Sequence, residues 1–254
     1  AKPRISSEAW TRVESLIREN WSPEQISSWL KREERIHVSH EWIYRYILRD
    51  KQQGGDLHRH LRCQKPRKKR YGTPDRRGQI KGRVSIDDRP SVVEDRTRIG
   101  DWEADTVVGK RGGAALVTLV ERKSRLSFIA KVPSQSAQNV KEAIMMQLKP
   151  FASEVHTLTY DNGKEFAHHQ EIAKELEASG YFAHPYHSWE RGLNENTNGL
   201  IRQYFPKGKS LSEVTERQIR EVTEKLNNRP RKCLGFKTPN QVFFGINPPV
   251  ALAS

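Results

Sequence analysis

The chain has 254 residues, with 45 Lys+Arg against 31 Asp+Glu and a formal charge of +14 at pH 7. That length gives one large domain or two smaller ones with a sizeable core, and the charge makes a polyanionic partner the first expectation. Its two cysteines, Cys63 and Cys233, are too far apart to suggest a disulfide framework, and no apolar run approaches a membrane span, so a soluble cytoplasmic protein is expected. The charge is uneven: residues 1–98 hold 24 basic and 14 acidic side chains, residues 99–254 hold 21 and 17.

Three amphipathic helices open the chain. "SSEAWTRVESLIREN" sets Trp10, Val13, Leu16 and Ile17 at helical spacing behind a serine cap. "SPEQISSWLKREE" has Ser22 as cap, Pro23 in the first turn, and Ile26, Trp29 and Leu30 facing inward. "SHEWIYRYILRDK" is capped by Ser39 and anchored by Trp42, Ile43, Tyr46 and Ile47. Such a trio reads as an ordinary bundle or as a helix-turn-helix over residues 1–61, and the basic surroundings favour the second. The recognition helix would then present His40, Glu41, Tyr44 and Arg45.

Residues 62–83 carry ten Lys/Arg against Asp75, with Gly and Pro throughout and no periodicity. They belong to a basic linker, 62–97, in which Arg67, Lys68, Lys69 and Arg70 would lie along phosphates. A run of this kind is otherwise simply solvated.

From residue 98 the pattern changes. "IGDWEADTVVG", "AALVTLVER" and "RLSFIAKV" read as consecutive strands, "SAQNVKEAIMMQL" as a helix and "VHTLTYD" as a fourth strand. "EFAHHQEIAKELEAS" is a helix and "GYFAHP" a short fifth strand. A helix from about Glu190 and another over "SEVTERQIREVTEKLNN" follow. Antiparallel strands leading into alternating strands and helices describe a mixed α/β sheet over residues 98–254.

Acidic residues mark the sheet. In "TYDNGKEF" the Asn162-Gly163 pair is either a hairpin turn or a way of leaving Asp161 at the carboxyl edge of a strand. A following helix favours the second. On the first strand Asp101, Glu103 and Asp105 share one face by alternation. Alternation alone leaves Asp101 and Asp105 both open, and Val107 and Val108 place Asp105 deeper in the strand. On the helix after Glu190, Leu193, Thr197, Leu200, Ile201 and Tyr204 form one arc, and Glu195, Arg191, Asn198 and Arg202 the opposite one. That face is either solvated or a site, and its locally costly "GLNENTNG" favours a site. Arg191, Asn198 and Arg202 would suit a phosphate backbone, as would Lys164 after the second aspartate. Glu165 favours the next helix's amino end. His184 and His187 precede the Glu195 helix and are candidates for DNA contact, whereas His58, His60 and Cys63 lack a fourth ligand for zinc.

Asp105, Asp161 and Glu195, the last two separated by 33 residues, resemble the DDE triad of retroviral-integrase-like transposases. More closely, "GDWEADTVVG", "TLVERKSR", "YDNGKEF", "RGLNENTNGLIRQYFPKG" and "LNNRPRKCLGFKTPNQVF" resemble signatures of the insertion-sequence 30 family of bacterial transposases. "VSHEWIYRYI" and "GGDLHRHLR" extend the likeness toward the start. The resemblance implies a ribonuclease-H-like five-stranded core with flanking helices, and two Mg²⁺ or Mn²⁺ ions held by Asp105, Asp161 and Glu195. It implies cleavage and strand transfer on double-stranded DNA, at the inverted repeats of a mobile element and at its target. It selects Asp105, the third acid of "GDWEAD", over Asp101. It also implies a homodimer or higher oligomer, a nucleoid-associated bacterial location, and a further amino-terminal helix-turn-helix before residue 1. A catalytically inactive DNA-binding regulator and a nuclease sharing the core are the rival expectations.

Overall fold

The computed structural model describes residues 5–62, 80–109, 113–184 and 187–246. Arg67, Lys68, Lys69 and Arg70 lie outside these described residues. The chain forms two compact units, one of Ala1–Arg70 with Asn228–Val242 and one of Tyr71–Asn227 with Phe243–Ser254.

In the first unit, α1 (Ser7–Arg18), α2 (Pro23–Glu33) and α3 (His40–Gln52) each begin at a serine whose side chain accepts a backbone N–H of the first turn. Ser22 and Gln25 close a reciprocal capping box, and Pro23 sits where its missing N–H costs nothing. Val13, Leu16, Ile17, Ile26, Leu30, Ile43 and Ile47 fill the core. Trp42, expected as an anchor, is 47% exposed, and Arg45 lays its guanidinium over the indole. The buried stripe of α3 is therefore the narrow Ile43–Ile47 pair. Residues 228–242 complete this unit, which a division of the sequence into three successive segments does not contain. The Gln25 amide donates to Pro230 O at 2.6 Å, Lys232 pairs with Glu24 at 2.6 Å, and Arg229 donates to Glu19 O at 3.4 Å.

The second unit is built on a sheet of five strands among the described residues, in the order β3-β2-β1-β4-β5. β1 (Asp101–Val108), β2 (Ala115–Glu121) and β3 (Ser127–Val132) are antiparallel neighbours, whereas β4 (Thr157–Tyr160) and β5 (Ser179–Phe182) run parallel to β1. This is the ribonuclease-H-like arrangement. Besides the short α4 (Val92–Asp95), helices cover both faces. Trp102, Ala104, Leu119 and Leu158 pack with α5 (Ala137–Leu148) and α6 (His169–Glu175). Val107, Leu116 and Ile129 pack with α7 (Gly192–Tyr204) and α8 (Glu216–Asn227). β2, covered on both sides, is accordingly an unbroken apolar run apart from Thr118 and Glu121.

Parallel pairing settles the Asn162-Gly163 alternatives. A strand flanked by parallel partners must be followed by a crossover, and Gly163 has φ −71°, not the positive φ of a hairpin turn. The helix expected directly after it is split into a 3-10 turn at Lys164–Phe166 and the shorter α6, and the chain turns sharply at Glu177, where φ is +51°. On α7 the inward residues are Asn194, Thr197, Leu200 and Ile201, so the buried arc is rotated from Leu193 toward Asn194.

Ile43 is fully buried and Trp42 half exposed, although they are neighbours. Ile43→Ala should therefore destabilise the helical unit by about 2–5 kcal/mol, and Trp42→Ala by less than about 1 kcal/mol. Urea unfolding followed by circular dichroism checks this, and equal losses would contradict the burial pattern.

Candidate active site

The site begins with strand register. Asp101 pairs with Thr157 and Glu103 with Thr159 across the parallel β1/β4 ladder, and extending that register by two residues sets Asp105 opposite Asp161. Alternation had put Asp101, Glu103 and Asp105 on one face, and each meets a different partner. Asp101, 1% exposed, takes two hydrogen bonds of 2.9 Å from Arg98 and one of 2.8 Å from the Thr157 hydroxyl. It is a structural residue at the strand's start. Glu103 takes Arg122 Nη1 at 2.5 Å and the Asn194 backbone N–H at 3.1 Å. Only Asp105 reaches the carboxyl edge of the sheet, so the structure separates the two aspartates that alternation could not.

At that edge Asp105 accepts its neighbour Thr106 N–H at 2.8 Å and the Asn198 amide at 2.9 Å. Asn198 is held in turn by the Thr118 hydroxyl, 3.2 Å from its Oδ1, and Thr118 pairs with Asp105 across β1/β2. Asp161 accepts Gly163 N–H at 2.8 Å, which aims its carboxylate back over the turn. A side chain at Gly163 would meet the Glu165 carboxylate and displace it, so the glycine lets that acid lie close against the turn. Arg191, which leads into α7, stands between the aspartates: Nη1 lies 3.7 Å from Asp105 Oδ2 and Nη2 3.6 Å from Asp161 Oδ2.

Glu195 is not gathered in. It is exposed in the first turn of α7, and among the described residues no group of three His, Cys, Asp or Glu could hold a metal ion. Its neighbours on the helix do reach the aspartates. Arg191 and Asn198 are four residues before it and three after it, hence on its own helical stripe, and both reach Asp105. Carboxylate oxygens are the hard donors that Mg²⁺ and Mn²⁺ take. Those of Asp105 and Asp161 already face one cation, the Arg191 guanidinium, so this pair fits a divalent ion.

The polar residues expected to meet phosphates are turned inward. Arg202 donates to Val108 O at 2.6 Å, Asn198 to Asp105, and Arg191 to Ala104 O at 3.4 Å. Lys164 is exposed beside the aspartates, and His40, Tyr44 and Arg45 are exposed on α3 of the helical unit. His184 is clamped, with Nδ1 2.9 Å from Glu190 and Nε2 3.0 Å from Asp87, and those carboxylates raise its pKa, the Glu190 hydrogen bond most.

Two features escaped the sequence reading. Glu165, assigned to a helix end, instead accepts the Thr106 hydroxyl at 3.1 Å beside Asp105, while Thr106 takes the Gln135 amide at 2.8 Å. Beneath the site runs a charge network, buried at Glu103, Arg122 and Arg89 and reaching the surface at Glu94. Arg122 joins Glu103 to Glu94 at 3.0 Å and to Val93 O at 3.1 Å, and Arg89 donates to Thr159 at 2.8 Å and to Glu94. Burial first, and the charge of Arg122 second, bring Arg89 down to about 10. The signal for this network was the middle acid of "DWEAD", on a face that must be covered.

Glu103 thereby ties α7 to β1 through the backbone of Asn194. Glu103→Ala would leave the buried Arg122 with only the exposed Glu94 as a carboxylate partner and free the helix end, a loss of up to about 3–5 kcal/mol in urea unfolding, with Glu103→Gln milder. If the two variants matched the native protein, the network would carry no stability.

Burial pushes the Asp105 carboxyl up to about 6; the Arg191 charge opposes this and the Asp161 charge adds to it. A folded pKa above the unfolded 3.8 means stability is fully present below that value and is lost as pH rises through about 6. In chelator, native protein should lose roughly 3 kcal/mol relative to Asp105→Asn between about pH 4 and pH 7. A pH-independent difference between the two would show that burial leaves this carboxyl untouched.

The integrase core domain family model matches residues 96–188, which include both aspartates. The transposase for insertion sequence element IS4351 of Bacteroides fragilis is 50% identical over 233 residues, covering 91% of this chain and 72% of that protein. The transposase for IS1086 of Cupriavidus metallidurans is 38% identical over 243 residues, covering 92% and 71%. Transposase InsI of IS30A from Escherichia coli K12 is 37% identical over 236 residues, and the chain spans 61% of its length. Among solved structures, the catalytic core domain of BIV integrase aligns with 57% of this chain and 93% of its own, at 21% identity and a TM-score of 0.46. On the extent and identity of the transposase matches, with an integrase core domain where the two aspartates meet, this chain belongs to the IS30 family of insertion-sequence transposases.

Proposed function

We propose that this chain cuts DNA at the inverted-repeat ends of an insertion sequence and joins the freed ends to a target, using Asp105, Asp161 and Glu195. The observation that carries this reading is the parallel β1/β4 register, which opposes Asp105 and Asp161 at the mouth of the sheet beside the helix that bears Glu195. The three carboxylates would hold two Mg²⁺ or Mn²⁺ ions. Such ions would supply an activated water for nicking, an activated 3′-hydroxyl for joining, and charge stabilisation at the leaving oxygen.

The chain's own residues do the positioning. Asn198 and the Thr106 N–H fix the Asp105 oxygens, Gly163 N–H fixes Asp161, and Glu103 fixes the start of α7. The reading requires no covalent protein–DNA bond, since the attacking oxygens come from water and from DNA itself. Exposed Lys164 is placed to meet a phosphate beside the aspartates.

We assign the helical unit to DNA recognition as a helix-turn-helix. α3 exposes His40, Tyr44 and Arg45 together on a capped, well-anchored helix. Double-stranded DNA is the partner. Bringing two element ends together calls for at least two protomers, and among the described residues no helix is long and apolar enough to cross a membrane.

The test is a labelled inverted-repeat duplex incubated with Mg²⁺ and either native protein or Asp161→Asn at fixed salt. Nicked and joined products from the native protein alone, abolished by chelator, are expected. Nicking without joining would assign a nuclease, and end binding with no products from either protein a regulator. In the same binding assay Arg45→Ala should weaken end binding by about 1–3 kcal/mol if it reads a base, and Arg45→Lys should recover less than half of that.

A further inference from the structure

We propose that Arg191 is a resident counter-ion of the site: its guanidinium holds the gap between Asp105 and Asp161 and has to withdraw before a divalent cation can bind there. The inference rests on the reading of these aspartates as metal ligands. The guanidinium does not fork onto a single carboxylate. One terminal nitrogen faces each aspartate, at 3.7 Å from Asp105 and 3.6 Å from Asp161. Both separations exceed a hydrogen bond, so the contact is one of charge, without the directional grip of a bidentate pair. The sole hydrogen bond from this guanidinium among the described residues is a long one of 3.4 Å to Ala104 O.

The surroundings explain why a cation is needed and why this one can leave. Asp105 and Asp161 are only 19% and 23% exposed, so water screens their repulsion poorly. Arg191 is itself 14% exposed and supplies the missing positive charge from within the chain. It stands at the junction of a 3-10 turn and α7, with no side-chain cap, and is followed by Gly192, around which a Cβ would meet nothing within 4 Å. Neither a hydrogen bond to an aspartate nor a side-chain cap therefore pins the arm at this junction.

The next turn of the helix is consistent with an exchange. Glu195 lies on the stripe of Arg191 and Asn198, faces solvent and touches neither aspartate. Asn194 is fully buried and neither amide atom has a partner among the described residues, a costly arrangement in the very turn that carries Glu195. The guanidinium and a divalent ion compete for the same oxygens. When Arg191 yields, a third carboxylate on the same stripe is one turn away.

Mn²⁺ binding without DNA, read by the loss of the free-ion electron paramagnetic resonance signal, tests this on native protein, Arg191→Gln, Arg191→Lys and Asp161→Asn. Removing the resident charge should tighten Mn²⁺ binding about tenfold or more in Arg191→Gln, while Arg191→Lys, still cationic, should stay within about threefold of native. Asp161→Asn should bind about tenfold more weakly or worse. As a second readout, Mn²⁺ should raise the melting temperature of Arg191→Gln more than that of the native protein, whatever the starting stability in chelator. If Arg191→Gln bound Mn²⁺ no more tightly than native while Asp161→Asn bound it less, the counter-ion role would be overturned and the metal site would stand. If Asp161→Asn bound like the native protein, the reading of the aspartates would fall, and this inference with it.

Discussion

Two negative charges held face to face at low exposure organise the catalytic unit. Parallel pairing of β1 with β4 brings Asp105 and Asp161 together at the strand ends, and the mutual repulsion of such a pair has to be offset by something positive. The fold supplies Arg191 from the start of α7. The donors around the pair, Asn198, Thr106 N–H and Gly163 N–H, fix where each carboxylate points, and one more acid, Glu165, lies against Gly163. A site with this much directed negative charge draws a cation, and in this chain that cation is the Arg191 guanidinium.

Its rigidity comes from the strand beneath. The acids of β1 form a gradient: Asp101 locked by Arg98 and Thr157, Glu103 by Arg122 and the α7 backbone, and Asp105 alone left to the mouth. One strand face thus anchors the start of β1, the start of α7 and the carboxylate that meets Arg191 in succession. Replacing the middle acid disturbs the outer one indirectly, because the helix carrying Arg191, Glu195 and Asn198 is tied to β1 at that point.

Much of this was legible in the sequence, and the limits have a physical cause. Period-two alternation located the face of β1, and helical spacing located the cores of α1, α2 and the buried Thr197, Leu200 and Ile201 of α7. Periodicity reports which side of an element is covered; it says nothing about what covers it. Arg191, Asn198 and Arg202 were read as a face open to phosphates because nothing local reveals that β1 lies beneath them. Trp42 misled for the opposite reason: a large aromatic at helical spacing looks like core, yet Ile43 and Ile47 suffice and the indole stays at the surface under Arg45. Asp105 was separated from Asp101 only by motif likeness, and in the structure by a long-range strand pairing that no local pattern encodes.

The helical unit is assembled from two segments far apart in sequence. Its first three helices are complete by Gln52, but Gln25, Glu24 and Glu19 find partners at Pro230, Lys232 and Arg229. During synthesis, then, the ribosome must complete every strand of the sheet before these earlier helices can meet those partners. A messenger broken between the codons for Phe182 and Arg229 would encode all five described strands and leave those helices without these partners.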